Sequence, residues 1–514
     1  MAYDNIPKEK FQLVNHGERI SDKKFETKAI GYFADAMNRF KKNKSSVIAA
    51  LIILFLLIFA VVTPLISPYD VNFRDGYYKM VLPKCEALSW LGWDGCKTQQ
   101  ETQAGYDYLA GIGVEYGESA VKNVKNTFVD EVSGKTYYSI YVDTYEKVGF
   151  TYVDLSKEEY EALKTYQNET GTQVCYPIPN NYNTTFISSV SSANLWYQLA
   201  DDTPTSNGAS AYHEEDGTPI YVNNYKTGGP NYGKYDSLRI AGDDGTAGED
   251  GDEWFVYAMK NQTGYRVRVL YSAYYEYMNG FAPTYLFGTN QHGQDILVCL
   301  ASGAQLSFLL AISVSIINFF IGICYGSVEG YYGGVTDLLM ERISDILASV
   351  PFIVVATLFQ LHLADKVGPV VSLLFAFVLT GWIGIASRVR TQFYRFKNSE
   401  YVLAARTLGA SDKRLIFRHI LPNSLGTIIT GTILIIPSVI FSESMLTYLG
   451  IVNLETSGLT SIGTMLANGR AYLSTYPHII AFPAVFISLL EISFNLFGNG
   501  LRDAFNPSLR GTEE

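Results

Sequence analysis

Apolar residues are distributed very unevenly along this chain. Six long apolar runs lie at residues 47–66, 306–326, 346–361, 368–387, 425–445 and 479–498. Because a helix needs about 20 mainly apolar residues to cross the hydrocarbon core of a bilayer, the runs predict six membrane-spanning helices. More than 200 residues without such a run separate the first span from the other five. The pattern therefore predicts a polytopic α-helical membrane protein with a large polar insertion.

The polar insertion has the pattern of a folded domain. Apolar and polar residues alternate at 135–153 and at 266–277, where Tyr and Val are frequent, which is typical of half-buried strands or a hairpin. Ser156 and Glu159 form a capping-box pattern that predicts a short helix ending near Gly171. We therefore expect an inserted α+β domain.

Charged residues orient the predicted spans. The insertion holds 30 Asp and Glu against 16 Lys and Arg, a net charge of −14, whereas the whole chain carries −11. Basic residues precede the first span and cluster in the loop after the fourth, and cytoplasmic loops are enriched in Lys and Arg. We therefore expect both termini and that loop in the cytoplasm and the insertion outside. The expected segments are a cytoplasmic N-terminal segment at 1–45, a first membrane helix at 46–67, an extracellular domain at 68–287, a five-helix core at 288–507 with a cytoplasmic loop at 396–423, and a tail at 508–514.

Tyrosine is concentrated in the insertion, which holds 28 of the 38 tyrosines in the chain. Aromatic side chains offer rigid contact area, so one interpretation is a tyrosine-rich surface that touches a substrate or a docking protein. Tyrosines at strand positions also pack sheets, which is the second interpretation. The sequence leaves both open.

The chain has five cysteines and six histidines. Cys85 and Cys96 lie in the insertion and are candidates for a disulfide in an oxidising exterior. Cys175 makes the external number odd, so the connectivity is open. Cys299 and Cys324 lie in or beside the second span, where membrane packing is the simplest role. The histidines show no ligand spacing, so we expect no metal site.

The cytoplasmic loop after the fourth span has the pattern of two short helices. Ser399 and Ser411 are suited to cap their first turns, and Gly409 between them is suited to the left-handed conformation that ends the first helix. Pro422 is expected to stop the second helix before the next span. The loop therefore predicts a helical elbow.

The elbow also has the residues expected of a docking surface. Ala404 and Ala405 leave a low surface for close helix approach, and Leu415, Ile416 and Phe417 form an apolar plug. An ordinary basic loop between spans would account for its Arg and Lys residues but not for the Ala-Ala, Gly and Pro arrangement.

From Glu400 the loop reads Glu-Tyr-Val-Leu-Ala-Ala-Arg-Thr-Leu-Gly-Ala-Ser, and it ends in Leu-Pro at Pro422. This arrangement resembles the ATPase-coupling motif of ABC importer permeases of the peptide and nickel branch. Gly-Tyr-Tyr-Gly-Gly at 330–334 and Leu-Phe-Gly-Asn-Gly-Leu-Arg-Asp at 496–503 are similar to segments of C-type oligopeptide permease subunits. The resemblance implies that the elbow binds ATPase subunits, with the coupling residues Glu400, Ala404, Ala405, Gly409, Leu415, Ile416, Ile420 and Pro422.

The resemblance implies a type I ABC importer permease that is not itself an enzyme. The chain has no Gly-x-x-x-x-Gly-Lys-Ser/Thr motif, so ATP and Mg would be used by two partner ATPase subunits and no cofactor is expected on this chain. Further expected partners are a homologous second permease, an extracellular substrate-binding lipoprotein and a peptide substrate, without nucleic acid, in a bacterial plasma membrane. Alternatives are import of nickel, a sugar or a haem, or a membrane sensor or force transmitter driven by an ATPase.

Several polar residues within or beside the spans also have candidate roles. Glu443 either lines the translocation path or caps a neighbouring helix, and Glu491 either contacts substrate or bonds to the second permease. Arg342 and Asp345 share a helical face and are expected to pair, and Pro351 is expected to kink the third span.

One pair of positions departs from the resembling family. Before the second span this chain has Asn290 and Gln294, where the family usually has an acid and a base. The acid and the base of the family pattern are therefore both absent at this point.

Overall fold

A computed structural model describes residues 32–112, 116–132, 134–176, 178–179, 193–194, 198–199, 221–222, 255–256, 258–260, 263–455 and 458–505. The segment expected at 1–45 therefore falls partly outside the described residues, and the tail at 508–514 falls wholly outside them. Two helices open the described chain, α1 (Tyr32–Lys42) and α2 (Lys44–Ile66). Asn43 between them accepts a hydrogen bond from the Ser46 amide and caps α2.

The insertion is an α+β domain, as its pattern predicts. Its labelled elements are β1 (Cys96–Thr102), α3 (Gln103–Gly111), β2 (Val121–Val129), β3 (Thr136–Asp143), β4 (Phe150–Leu155), α4 (Lys157–Thr170), β5 (Cys175–Tyr176), β6 (Met259–Lys260), β7 (Tyr265–Leu270) and α5 (Tyr271–Asn279). One antiparallel sheet has the strand order β1-β3-β2, and in a second sheet β7 pairs with β4, β5 and β6. Two further pairs of strands, each of two residues, complete the described part of the domain.

Local signals in the insertion were informative to different degrees. The capping box of Ser156 and Glu159 is confirmed, because each side chain bonds the other residue's amide, and Gly171 ends α4 at a φ of 70°. A hairpin at 135–153 is wrong, because β3 and β4 belong to different sheets. The strand predicted at 266–277 is half wrong, because α5 begins at Tyr271. The Tyr and Ala residues there pack a helix as readily as a strand.

Many of the tyrosines form a core at the base of the insertion. Tyr78, Tyr145, Tyr271, Tyr275 and Tyr285 are buried together in one cluster. The Tyr271 hydroxyl donates to Asp75 at 2.8 Å, and the hydroxyls of Tyr275 and Tyr285 are 3.2 Å apart. Packing, rather than surface contact, is therefore the role of these five tyrosines.

The two chain segments that join the insertion to the membrane helices run side by side. Backbone hydrogen bonds link Met80 to Asn290, Val81 to Thr289, and Lys84 to Tyr285 at 3.0–3.1 Å. The Thr289 hydroxyl adds a bond to the Tyr78 carbonyl at 2.6 Å. We call this paired segment the stem. It holds the two ends of the insertion together.

The membrane core follows the stem. Its helices are α6 (Ile296–Tyr332), α7 (Gly334–Ala348), α8 (Phe352–Val367), α9 (Pro369–Gly381), α10 (Ile383–Phe396), α11 (Glu400–Thr407), α12 (Asp412–Arg414), α13 (Leu421–Thr432), α14 (Ile435–Tyr448), α15 (Ile462–Gly469) and α16 (His478–Phe505). A π-helical turn, Leu415–Ile420, joins α12 to α13. The largest apolar core of the described residues lies among α2, α6, α14 and α16.

Five helical segments are long and apolar enough to cross a membrane, at Lys44–Ile66, Ile296–Tyr332, Pro369–Phe396, Asp412–Tyr448 and His478–Phe505. The predicted third span is a pair of helices, α7 and α8, bent by 72°. Pro351 directly precedes α8, so the expected kink is a full break. The described chain therefore has six spans if the bent pair counts as one.

Three glycines allow α6 and α10 to pack closely. Gly322, Gly326 and Gly330 recur every four residues and so share one face of α6. A Cβ atom on Gly322 would lie 2.6 Å from Ile385, and one on Gly326 would collide with the Ala386 carbonyl oxygen. Small residues at this spacing let helix backbones approach in a membrane, where packing rather than water drives association.

We expect Gly326→Val to force α6 and α10 apart, at a cost of about 1–3 kcal/mol in the free energy of unfolding. Thermal unfolding of the purified protein in detergent would show this as a lower Tm. Gly384→Val is the matched control, because Gly384 lies on α10 with nothing within 4 Å of its added Cβ. Equal Tm values for the two variants would contradict the close-packing role.

Candidate functional site

The predicted elbow is present, and Gly409 forms its corner. Gly409 has a φ of 82°, and nothing lies within 4 Å of an added Cβ. Its amide donates to the Arg406 carbonyl at 3.0 Å, and the Ala410 amide donates to the Ala405 carbonyl at 3.1 Å. These two bonds close α11 in a Schellman motif. The corner therefore needs glycine for its backbone conformation and not for space.

Two details of the predicted elbow are wrong. Ser399 and Ser411 precede their helices with extended backbones, but neither side chain caps the helix that follows. The Ser399 hydroxyl instead donates to the Phe396 carbonyl at 2.6 Å, which ties it to the helix before.

Pro422 does not stop the second helix. The chain remains helical from α12 through the π turn into α13, and Pro422 lies in the first turn of α13. The Leu421 amide bonds the Ile416 carbonyl five residues back, so the hydrogen-bond register shifts at this point. Where the register shifts, a residue without an N–H fits within the continuing helix.

The elbow has a buried side and an exposed side. Leu415, Ile416 and Ile420 are buried in a cluster with Val402 and Phe393, so they shape the elbow from within. Of the expected apolar plug, only the Phe417 side chain is exposed.

The surface open to a partner comes from other residues. Glu400 and Ala404 are exposed and Ala405 is half-buried. Leu408 is 89% exposed, the highest value among the apolar residues of the elbow. Its position immediately before the corner glycine was the sequence signal for an outward-pointing side chain.

Side chains fasten the elbow to the end of α6. The Tyr331 hydroxyl donates to the Asp412 carboxylate at 2.6 Å, and Lys397 Nζ donates to the Gly330 carbonyl at 3.1 Å. The elbow is therefore anchored to the C-terminal end of α6. The glycines of this part of α6 also pack against α10.

Near these contacts, one arginine interacts with three carboxylates. Arg390 donates two hydrogen bonds to Asp337 at 2.5 and 2.8 Å and two to Glu341 at 2.9 and 2.7 Å. Glu329 lies 3.7 Å from it and is buried, and the Tyr394 hydroxyl donates to Asp337 at 2.7 Å. The three carboxylates lie close enough together to hold a cation, and here the guanidinium lies among them. The network joins α6, α7 and α10.

Sequence reasoning missed this network, because it treated Arg390 only as a basic loop residue. The pair that was predicted, Arg342 with Asp345, is confirmed at 3.0 Å. Both of its side chains are more than half exposed, so it contributes at most about 1 kcal/mol.

The two intramembrane glutamates lie in different surroundings. Glu443 is 1% exposed and accepts hydrogen bonds from the hydroxyls of Ser307 and Thr447, at 2.9 and 3.2 Å. The Ser444 hydroxyl adds a third bond at 3.3 Å. Glu443 is therefore a buried packing contact between α14 and α6, and among the described residues no backbone amide at a helix start bonds to it.

Glu491 instead faces an open cavity. The cavity has a volume of about 260 Å³ and is lined by Glu491 from α16 and by Ser438, Phe441 and Ser442 from α14. The Oε1 atom of Glu491 is buried without a hydrogen-bond partner among the described residues. A buried carboxylate oxygen without a partner is rare in proteins and marks Glu491 as a candidate contact for another molecule.

Asn290 and Gln294, the two neutral residues that depart from the family pattern, bond to each other. The Asn290 side-chain amide donates to the Gln294 side-chain oxygen at 3.0 Å, and Gln294 donates to the Val71 carbonyl at 2.7 Å. This contact at the foot of the stem carries no charge.

The cysteines are unbonded thiols. The proposed bridge of Cys85 and Cys96 is not formed, because the Cys96 sulfur is turned towards the Asp94 carbonyl at 3.5 Å. Burial, with the nearby Asp143 carboxylate, raises the pKa of Cys96 to about 12. Cys299 is buried in the core as expected, whereas Cys324 is exposed.

The chain thus combines apolar helices with a helical elbow whose side chains are exposed. This is the architecture of a type I ABC permease, the membrane subunit of an ATP-driven transporter. The chain belongs to the family of oligopeptide and dipeptide transport permease proteins. Residues 318–511 match the family described as binding-protein-dependent transport system inner membrane component. Residues 31–83 match the N-terminal TM domain of oligopeptide transport permease C.

Proteins similar in sequence to this chain occur in several bacteria. The oligopeptide transport system permease protein OppC of Bacillus subtilis is 41% identical over 224 residues, which cover 44% of this chain and 72% of that protein. The dipeptide transport system permease protein DppC of the same organism is 39% identical over 225 residues, with coverages of 44% and 69%. A solved chain of the MetNI methionine ABC transporter aligns with 40% of this chain and 96% of its own, at 16% identity and a TM-score of 0.33.

We expect Arg390→Gln to destabilise the protein by about 3 kcal/mol or more, because it leaves a partly buried carboxylate cluster without its positive charge. Thermal unfolding in detergent measures the loss. The matched control is Arg342→Gln, which removes an exposed pair and should change stability by less than about 1 kcal/mol. A similar small change for both variants would show that the network is not a structural joint.

Proposed function

We propose that this chain forms half of the translocation pathway of an ATP-driven importer of oligopeptides. A homologous second permease would supply the other half. The observation that carries the proposal is the elbow at Gly409, a rigid corner fastened to the core on one side and exposed at Ala404, Leu408 and Phe417 on the other. The names of the relatives, oligopeptide and dipeptide permeases, support peptide as the cargo.

The elbow would receive force from two ATPase subunits. Its exposed apolar side chains suit a groove on a partner, the usual way in which a short helix docks. ATP and Mg would be bound by those partners, because the phosphate-loop motif is absent from this sequence. ATP-bound partners would favour one permease state by binding its elbow more tightly, since equal affinity for both states shifts nothing.

The proposed setting is a bacterial plasma membrane with both termini in the cytoplasm and the insertion outside. The charge difference supports it, because the insertion carries −14 while the loop that holds the elbow is basic. An extracellular binding lipoprotein would then meet the insertion and the outer ends of the spans.

Glu491 is our candidate for contact with cargo. Its unpartnered Oε1 atom in an open cavity between α14 and α16 suits a peptide amino group or a donor from the second permease. Glu443 is the weaker candidate for the path, because its oxygens are already hydrogen-bonded.

Uptake by the reconstituted complex tests the proposal. The chain would be purified with its second permease and ATPases, placed in proteoliposomes, and given a binding protein and a radiolabelled peptide panel. We expect peptide accumulation that requires ATP. ATPase binding without any flux would favour a sensor or force transmitter. Accumulation of nickel, a sugar or a haem in place of peptide would show that the importer carries that substrate instead.

Substitutions at Gly409 test the coupling role of the elbow. Gly409→Val places a β-branched residue at positive φ, at a cost of about 1–2 kcal/mol, and we expect ATP-driven uptake to fall about tenfold or more. Gly409→Asn is the matched variant, because Asn tolerates the left-handed region, and it should retain most of the uptake. Equal uptake by both variants at equal membrane levels would contradict this role.

A further inference from the structure

A second cavity lies on the opposite side of the molecule from the elbow, between the insertion and the loop that leads into α16. Its volume is about 360 Å³, within the range of small-molecule sites. The side chains that line it include three lysines and three tyrosines: Lys79, Lys97, Lys147, Tyr77, Tyr108 and Tyr476. Residues of the insertion and Tyr476 of the membrane core both line it, so the cavity is present only when the insertion is packed on the core.

The charge of this cavity is opposite to that of its domain. The insertion carries a net charge of −14, yet no Asp or Glu is among the described residues that line the cavity. Two carboxylates next in sequence to lining residues are engaged elsewhere, since Asp143 pairs with Lys84 at 3.3 Å and Glu146 accepts a hydrogen bond from Tyr116 at 3.0 Å. Within the described chain, the three cavity lysines form no ion pair.

Lys97 lies near a second positive charge without a carboxylate to balance it. Its ammonium lies 4.0 Å from the centre of the Tyr476 ring, a cation–π contact that joins β1 to the membrane core. Burial, and then the positive charge of Lys147, lower the pKa of Lys97. Two cations held near each other without a carboxylate are stabilised by an anion that binds between them.

We propose that this cavity binds a carboxylate, and, resting on the proposed function, that the carboxylate is the C-terminus of a short peptide. Lys97 and Lys147 hold the carboxylate by charge-assisted hydrogen bonds. The rings of Tyr77, Tyr108 and Tyr476 give apolar walls to the peptide body. The insertion is in this way a peptide-receiving part of the permease.

Direct binding to the full-length chain in lipid nanodiscs tests the proposal. The probes are tri-alanine, its C-terminal amide and N-acetyl tri-alanine, measured by isothermal titration calorimetry. We expect the amide to bind about tenfold more weakly or worse, because it lacks the charge that the lysines recognise. N-acetylation should have little effect on binding.

Variants assign the binding to this cavity. Lys97→Gln and Lys147→Gln should reduce tri-alanine affinity to that of the amide, while Lys147→Arg keeps the charge and should keep the affinity. Lys157→Gln is the matched control, because Lys157 is an exposed lysine of the same domain outside the cavity. Size-exclusion profiles would establish that each variant is folded.

Three results would overturn the proposal. Equal affinity for tri-alanine and its amide would exclude carboxylate recognition. A loss of tri-alanine affinity in Lys157→Gln equal to that in the Lys97 and Lys147 variants would show that the peptide does not bind in this cavity. Absence of tri-alanine binding, with binding-protein association that depends on Lys97 and Lys147, would assign the cavity to an acidic side chain of that protein. ATP-dependent peptide uptake in any of these cases would leave the proposed function intact.

Discussion

The close approach of α6 to α10 is the contact on which the rest of the membrane core depends. With glycine at 322, 326 and 330, α6 has no side chains on this face, and Ile385, Phe393 and the Ala386 backbone of α10 pack directly against it. That approach brings Arg390 on α10 within hydrogen-bonding distance of the carboxylates on α7 and close to the one at the end of α6. The same end of α6 holds the elbow through Tyr331. A larger residue on the glycine face would therefore disturb the core, the charge network and the elbow together.

The elbow is continuous with the fifth span. The helical segment Asp412–Tyr448 has 37 residues and, at 1.5 Å per residue, is about 55 Å long. One end lies beside Gly409, and the other contains Glu443, which accepts a hydrogen bond from Ser307 of α6. A movement of the elbow is therefore passed to the far side of the core without crossing a loop. The π turn at 415–420 is the place along this path where the backbone hydrogen bonds change register.

Sequence reasoning was most successful where the signal is local. Hydropathy over 20 residues is enough to find a span, and the conformational freedom of Gly409 is enough to find a corner. It failed where the answer depends on a neighbouring helix. Arg390 meets partners far away in the chain, and the buried faces of Leu415 and Ile416 follow from packing against α11 and α10. Pro422 was misjudged because the π turn shifts the hydrogen-bond register there, and a π turn has no clear local signal in the sequence.

The stem also decides how the length of the inserted chain affects the membrane core. The two family matches end at residue 83 and begin at residue 318, so most of the insertion lies between them. Because the Lys84 amide donates to the Tyr285 carbonyl, the chain leaves and re-enters the stem at neighbouring positions. Other contacts, such as that of Lys97 with Tyr476, then seat the insertion on the core. The inserted chain can therefore differ in length without changing the distance between α2 and α6, the two membrane helices that the stem connects.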